Sequence, residues 1–336
     1  MRLIVSAFVL AAVALAWKPA SAQTPADIVL LNGKIVTVDD RFTIAEALAV
    51  KGERILAVGS NAEIEKHKGP LTRVVDLNRR TVIPGLIDNH AHYMRAAEYW
   101  HREVRLDGIT SHQEALDLIK HKAAESKPGE WVVVLGGWAE EQFVDEPRGF
   151  GRAELDGIAP NNPVALQLFY FRVYANTAAL KAMGIGPTTP DPAGIKIEKD
   201  DTGELTGTLN GGSAIGLLRG KLGEVARDKA VENARLLMLD LNKMGITAFQ
   251  DQGGTGMKAS HIEAFRTAHD AGQMTVRSFY NYYEEPRSAA DVENLIARMA
   301  QIKPFQGDDW FDLTGYGETL FPIARRAARE GRESIG

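Results

Sequence analysis

Val82 to Tyr93 reads VIPGLIDNHAHY: an apolar run, a Pro-Gly step, then Asp88, His90 and His92 at every second position. In a β-strand, residues two apart project from one face, so these three would form a row with about 7 Å between neighbours. Two imidazoles in such a row can lean onto one ion, and neutral imidazole nitrogen suits zinc, iron, nickel or manganese. An ion held that way still needs further protein ligands and an open position for catalysis, so the pair is half a site. The alternative is an edge strand whose polar residues face water. The continuous VIPGLI run predicts burial on both faces, where a polar row is costly unless something binds it, and this favours the metal reading.

Outward from this strand, residues 27–81 carry DIVLLNGKIVTVD, EALAVKGERILAVG and TRVVDLNRRTVI, each broken by Asn-Gly, Lys-Gly or charged turns. They predict a small antiparallel β unit. On the other side, Ser111 and Glu114 have capping-box spacing ahead of a helix, and WVVVLGGW (131–138) and PVALQLFYF (163–171) read as buried strands. Val231, Ala234, Met238 and Leu241 recur at spacings of three and four and predict a helix over 224–244, stopped by Gly245. Beyond it, ITAFQD (246–251), MTVRSFYNYY (274–283) and WFDLTGYGE (310–318) alternate with helical stretches. That alternation predicts an α/β fold with a parallel sheet of four strands, the histidine strand being the first.

Two acids lie at ends of these strands. Glu318 follows Gly-Tyr-Gly, where a parallel barrel collects catalytic groups, although the residues alone favour a surface glutamate in a turn. Asp251 has the same position on its strand and reads more readily as a cap for the next helix than as a pocket residue. His67, His101, His112, His121, His261 and His269 occur in helical or turn contexts and read as solvated or helix-face residues.

The bulk composition narrows the partners. The net charge of -5 is spread without long acidic or basic runs, which excludes a nucleic-acid groove and a polybasic membrane patch and leaves a small molecule. The chain has no cysteine, so disulfides and thiolate chemistry are excluded and any metal must sit on histidine and carboxylate. Residues 1–22 have Arg2, an apolar run from Leu3 to Trp17 and Ala20-Ser21-Ala22, the pattern of a secretory signal peptide; an exported, periplasmic or secreted protein without a membrane span is expected. The tail, 319–336, carries four arginines and no further strand.

Together, LNGKIVTVD, VIPGLIDNHAHY, PGEWVVVLGGWAEEQF, RAELDGIAPNNPVALQ and LNKMGITAFQD resemble the YtcJ-like branch (family 3) of the amidohydrolase superfamily, over about Asp27 to Glu318. The resemblance implies a metal-dependent (β/α)8 TIM barrel with a β-sandwich portion at 27–81. It further implies hydrolysis of a non-peptide C–N bond in an amide-like small molecule by a metal-activated water. It implies His90 and His92 as metal ligands, Glu318 as the bridging ligand, Asp88 behind them, and one or two divalent ions, zinc foremost. Residues 106–230 would be the branch's insertion between the first two barrel strands, with Trp138 on the pocket wall. The histidines and the general-base aspartate that the family carries late in its barrel have no counterpart here, so the resemblance implies the first half of a barrel, 82–105 with 231–318. Such a chain would be a catalytically incomplete enzyme, a non-catalytic fragment, or a half-barrel completed by an oligomer or a complementing chain.

Overall fold

The structure, a computed structural model, describes residues 24–318 apart from 285 and 287, so the signal-peptide pattern and the arginine-rich tail lie outside the described residues. The described chain divides into two compact units at Gly85.

The first unit contains strands β1 (Ile28–Leu31), β2 (Lys34–Val36), β3 (Ile44–Ala45), β4 (Ala47–Lys51), β5 (Arg54–Gly59), β6 (Arg73–Asp76) and β7 (Thr81–Val82), with a short helix α1 (Asn61–Ile64). They form two sheets, in the orders β5-β4-β1-β6 and β3-β2-β7. Strand alternation turns Val29, Leu31, Ala47 and Ala49 towards Ile64 of α1, while Leu30, Leu48 and Val50 meet Ile35 and Val82 of the smaller sheet. The unit is therefore a small sandwich. It is mixed rather than purely antiparallel, because β1 runs parallel to β6 and β2 parallel to β7.

The second unit begins with β8 (Leu86–Ala91) and the four-residue helix α2 (Tyr93–Ala96). An inserted layer follows: α3 (His112–Glu125), β9 (Val132–Val134), α4 (Arg152–Ile158), β10 (Val164–Leu168), β11 (Arg172–Ala175), α5 (Thr177–Met183), β12 (Lys196–Lys199), β13 (Leu205–Asn210) and α6 (Gly212–Leu222). Its sheet order is β12-β13-β11-β10-β9, and both faces are covered. Val133, Ala165, Val173 and Leu209 face α5 and α6, whereas Val132, Val134, Leu166 and Tyr174 face α3 and α4. Double-sided burial explains why β9 reads as an unbroken apolar run and β10 as one interrupted only by Gln167. The PVALQLFYF run ends early: Phe169 takes a positive φ of 46° and the exposed Phe169-Tyr170-Phe171 segment is the turn into β11.

The chain then returns through α7 (Arg227–Lys243), β14 (Ile246–Asp251), α8 (Ala259–Asp270), β15 (Arg277–Tyr282), α9 (Ala289–Met299) and β16 (Phe311–Tyr316). The four strands predicted as one sheet pair in the order β16-β15-β14-β8, all parallel. Gly245 ends α7 with φ +80° and its carbonyl accepts from the Leu86 amide at 2.9 Å, so the helix stop and the start of the β8–β14 ladder are one event. Apolar residues of α7 and α8, including Leu237, Met238, Phe265 and Ala268, pack on Phe249, Tyr280 and Phe311 of the strands. One expectation fails here. Leu86 and Ile87 are 50% and 71% exposed, because β8 pairs with β14 on one edge and with no other described strand.

Two stability predictions follow from buried and charged contacts. Asn176 is fully buried; its Oδ1 accepts from Val164 and Ala179 amides, both at 2.9 Å, and its Nδ2 donates to the Asn162 carbonyl at 2.8 Å. Asn176→Ala strands these groups and removes the α5 cap, and is expected to cost about 2–4 kcal/mol in urea unfolding. His269 contacts Asp308 at 2.9 Å and Asp270 at 3.0 Å, and these two carboxylates raise its pKa. A raised folded pKa gives stability that is full below the unfolded value of about 6.5 and lost as pH climbs through the folded one. The unfolding midpoints of wild type and His269→Gln should therefore differ most near about pH 5.5 and converge as the pH rises above about 6.5.

Candidate metal centre

At the carboxyl end of the parallel sheet, three side chains from opposite edges converge. His90 lies near the end of β8, His92 is the residue before α2, and Glu318 follows β16. One ligand atom from each lies within 4.8 Å of the other two. His90 Nε2 is 3.1 Å from Glu318 Oε2, and His92 Nε2 is 3.8 Å from Glu318 Oε1. The imidazoles meet edge to face, with centroids 5.7 Å apart. The register slips between Phe249 and Asp251 where they face Asp88 to Ala91, a local irregularity of the kind that re-aims side chains.

The surroundings hold these groups from behind. Asp251 is fully buried; one of its oxygens accepts from the Met94 amide at 2.9 Å, the other from the Gly253 amide at 3.0 Å. The second oxygen also lies 3.8 Å from His92 Nδ1, which leaves Nε2 facing Glu318. At that separation the contact is electrostatic rather than a hydrogen bond. Asp251 was expected to cap the helix after β14, but that helix starts behind Lys258, and Asp251 instead caps the turn that follows His92.

Asp88 stands outside the three-ligand cluster. It accepts from the His90 amide at 3.1 Å and from the Tyr93 hydroxyl at 2.8 Å, so it braces the strand on which His90 sits. Burial first, and then the bond to Asp88, push the Tyr93 phenol up to about 12, which keeps it a donor. Trp138, expected on a pocket wall, is a core residue. Its indole is 4% exposed, donates to the Gln167 carbonyl at 2.9 Å and packs among Phe143, Phe150 and Tyr174.

The remaining histidines stay away from the centre, but two of them are not solvated. His112 is buried and stacks on Phe150 at 4.5 Å. His261 is buried, with its Nε2 3.2 Å from a Glu98 carboxylate oxygen. Burial would raise the Glu98 pKa, yet the contacts from His261 and Lys258 outweigh it and hold the carboxyl at about 2.

Two imidazoles and a carboxylate are a donor set suited to a divalent ion, and the backbone beside them is shaped for one. Gly254 has φ +138°, and a Cβ there would stand 3.0 Å from Glu318 Oε1 and 3.1 Å from His92 Cε1. Only glycine keeps that space clear. Asp251 and Gly254 sit in the run Gln250-Asp251-Gln252-Gly253-Gly254, and a polar, glycine-rich run directly after a buried strand is the sequence signal that marks this wall.

Comparisons with known proteins identify the family. The amidohydrolase family pattern matches residues 73–322. The chain is 35% identical to an N-substituted formamide deformylase of Arthrobacter pascens over 74% of its own length and 46% of that protein. It is 33% identical to the putative amidohydrolase YtcJ of Bacillus subtilis (strain 168), over 53% of this chain and 34% of the other. Among solved structures, an uncharacterized metal-dependent hydrolase from Pyrococcus horikoshii has the same fold over 86% of this chain and 53% of its own, with a TM-score of 0.53 at 18% identity. This chain belongs to the amidohydrolase family, in its YtcJ-like branch. It spans less than half the length of these two curated relatives.

Gly254→Ala tests the fit. The methyl group would press on both His92 and Glu318, so affinity for Zn2+ should fall at least about tenfold by calorimetric titration while the far-ultraviolet spectrum stays that of wild type.

Proposed function

We propose that this chain contributes to a divalent-metal hydrolase, zinc being the favoured ion, that cleaves a non-peptide C–N bond in an amide-like small molecule. The observation that carries the reading is the convergence of His90, His92 and Glu318 at the carboxyl end of a parallel sheet. That is where (β/α)8 barrels hold their catalytic groups, and we read β8 and β14 to β16 with their helices as part of such a barrel. The relative named as an N-substituted formamide deformylase supports an amide substrate. The N-terminal sequence pattern supports export.

An ion bound here supplies Lewis-acid polarisation of a carbonyl and a water made more acidic. The chain's own residues do the rest. His90 and His92 would hold the ion through imidazole nitrogens and Glu318 through a carboxylate oxygen, with the Asp251 carboxylate on the far side of His92. Gly254 leaves the approach free of side-chain bulk. This reading assigns ligands but no general base, so turnover by the 336-residue chain is expected to be low beside that of a version extended to the relatives' length.

The test measures bound zinc and release of formate or amine from a set of N-substituted amides, using both lengths. Zinc bound near one equivalent and abolished by His90→Ala with His92→Ala supports the centre; robust turnover by the 336-residue chain alone would sink the claim that it is incomplete. The exposed apolar edge at Leu86 and Ile87 favours a second reading, in which another chain completes the sheet. Light scattering decides it, since a strictly monomeric, metal-loaded protein would exclude a second copy as the completing chain.

A further inference from the structure

We infer that Gln252 is a positioning residue for the metal ligands, a role that rests on the metal reading of His90, His92 and Glu318. Gln252 directly follows β14 and makes contacts towards both ligand-bearing edges. Its amide donates to the Ala91 carbonyl at 3.0 Å, between the two histidines. Its carbonyl accepts from the Glu318 amide at 3.1 Å. Its side-chain Nε2 donates to the Asn89 carbonyl at 2.8 Å, the peptide that enters His90.

The contact with Glu318 is unusual for a sheet, because β15 lies between β14 and β16. The chain can cross there only where side chains are missing: a Cβ on Gly253 would stand 2.7 Å from that of Tyr283, and one on Gly317 would stand 3.0 Å from the Gln252 carbonyl oxygen.

The side chain must be an amide. One end has to donate to Asn89, and the other, Oε1, accepts from Asn281 Nδ2 at 2.7 Å. Asn281 is itself oriented, since its Oδ1 accepts from Gln250 at 3.2 Å and from Thr314 at 3.1 Å. A carboxylate would face the Asn89 carbonyl with no donor, and an apolar residue would release both contacts. The network therefore fixes the peptide before His90 at the same point where the backbone anchors Glu318.

The experiment titrates the full 336-residue chain with Co2+, reading the dissociation constant and the visible d–d absorption band. In Gln252→Met, which retains volume and backbone, binding should weaken about tenfold to a hundredfold and the band should shift, with an unchanged far-ultraviolet spectrum. Wild-type affinity and band in a folded Gln252→Met would overturn the role. Should that variant lose its folded spectrum, Asn281→Ala takes its place: it keeps the Gln252 side chain but releases its Oε1, together with the Gln250 and Thr314 contacts to Asn281, and a smaller loss in the same direction supports the role while wild-type behaviour overturns it. His90→Ala with His92→Ala separates the two claims. Loss there with no change in Gln252→Met discards the positioning role and leaves the metal centre standing; binding retained in every variant discards both.

Discussion

The parallel ladder between β8 and β14 is the constraint on which the rest of the structure depends. At its foot the Gly245 carbonyl takes the Leu86 amide, and at its head the Ala91 carbonyl takes the Gln252 amide. Between these two bonds the register slips, and it does so beside the residues that carry the imidazoles. Asp251, the last residue of β14, then reaches across to the turn after His92. One strand pair thus fixes the position of the ligands, their orientation and the glycine wall beside them. Glu318 needs the further contact through Gln252, because its own strand is two places away.

The same strands divide stability from chemistry between their faces. Phe249 and Tyr280 are buried under α7 and α8 with Phe311, and they hold the sheet to its helices. Their neighbours Gln250 and Asn281 project to the opposite face, where with Thr314 and Gln252 they form a hydrogen-bonded floor beneath the centre. A polar floor of this kind is costly if any member is left unpaired, and here each amide has found both a donor and an acceptor. That is how a sheet can carry a wet, charged centre on one face and a dry core on the other.

Much of this was legible in the sequence. The strand and helix alternation after Gly245, the stop at that glycine and the pairing of His90 with His92 all follow from local periodicity, and local periodicity survives folding. Glu318 was weak on residues alone and became a candidate only by resemblance, because its partners are 228 and 226 positions away in the chain. Asp251 was misplaced for the same reason: besides the Gly253 amide beside it, it caps the distant turn after His92 and not the helix that follows β14. Trp138, expected on a pocket wall, and His112 and His261, read as solvated or helix-face residues, are buried because Tyr174, Phe150 and Glu98 meet them through sheet and helix packing that no short window contains. The exposure of Leu86 and Ile87 was hidden by their hydrophobicity, since an apolar run reports what a strand prefers and not whether a neighbour covers it.

The inserted layer has a consequence for how the chain reaches its fold. β8 and β14 are adjacent in space, yet the entire five-stranded layer lies between them in sequence. Bringing two such distant segments together has an entropic cost that rises with the logarithm of the intervening length, and non-local pairings of this kind slow folding. The inserted layer has its own two-sided core, covered on each face by its own helices. A layer that folds ahead of the ladder lowers that entropic cost, whatever it does for the substrate.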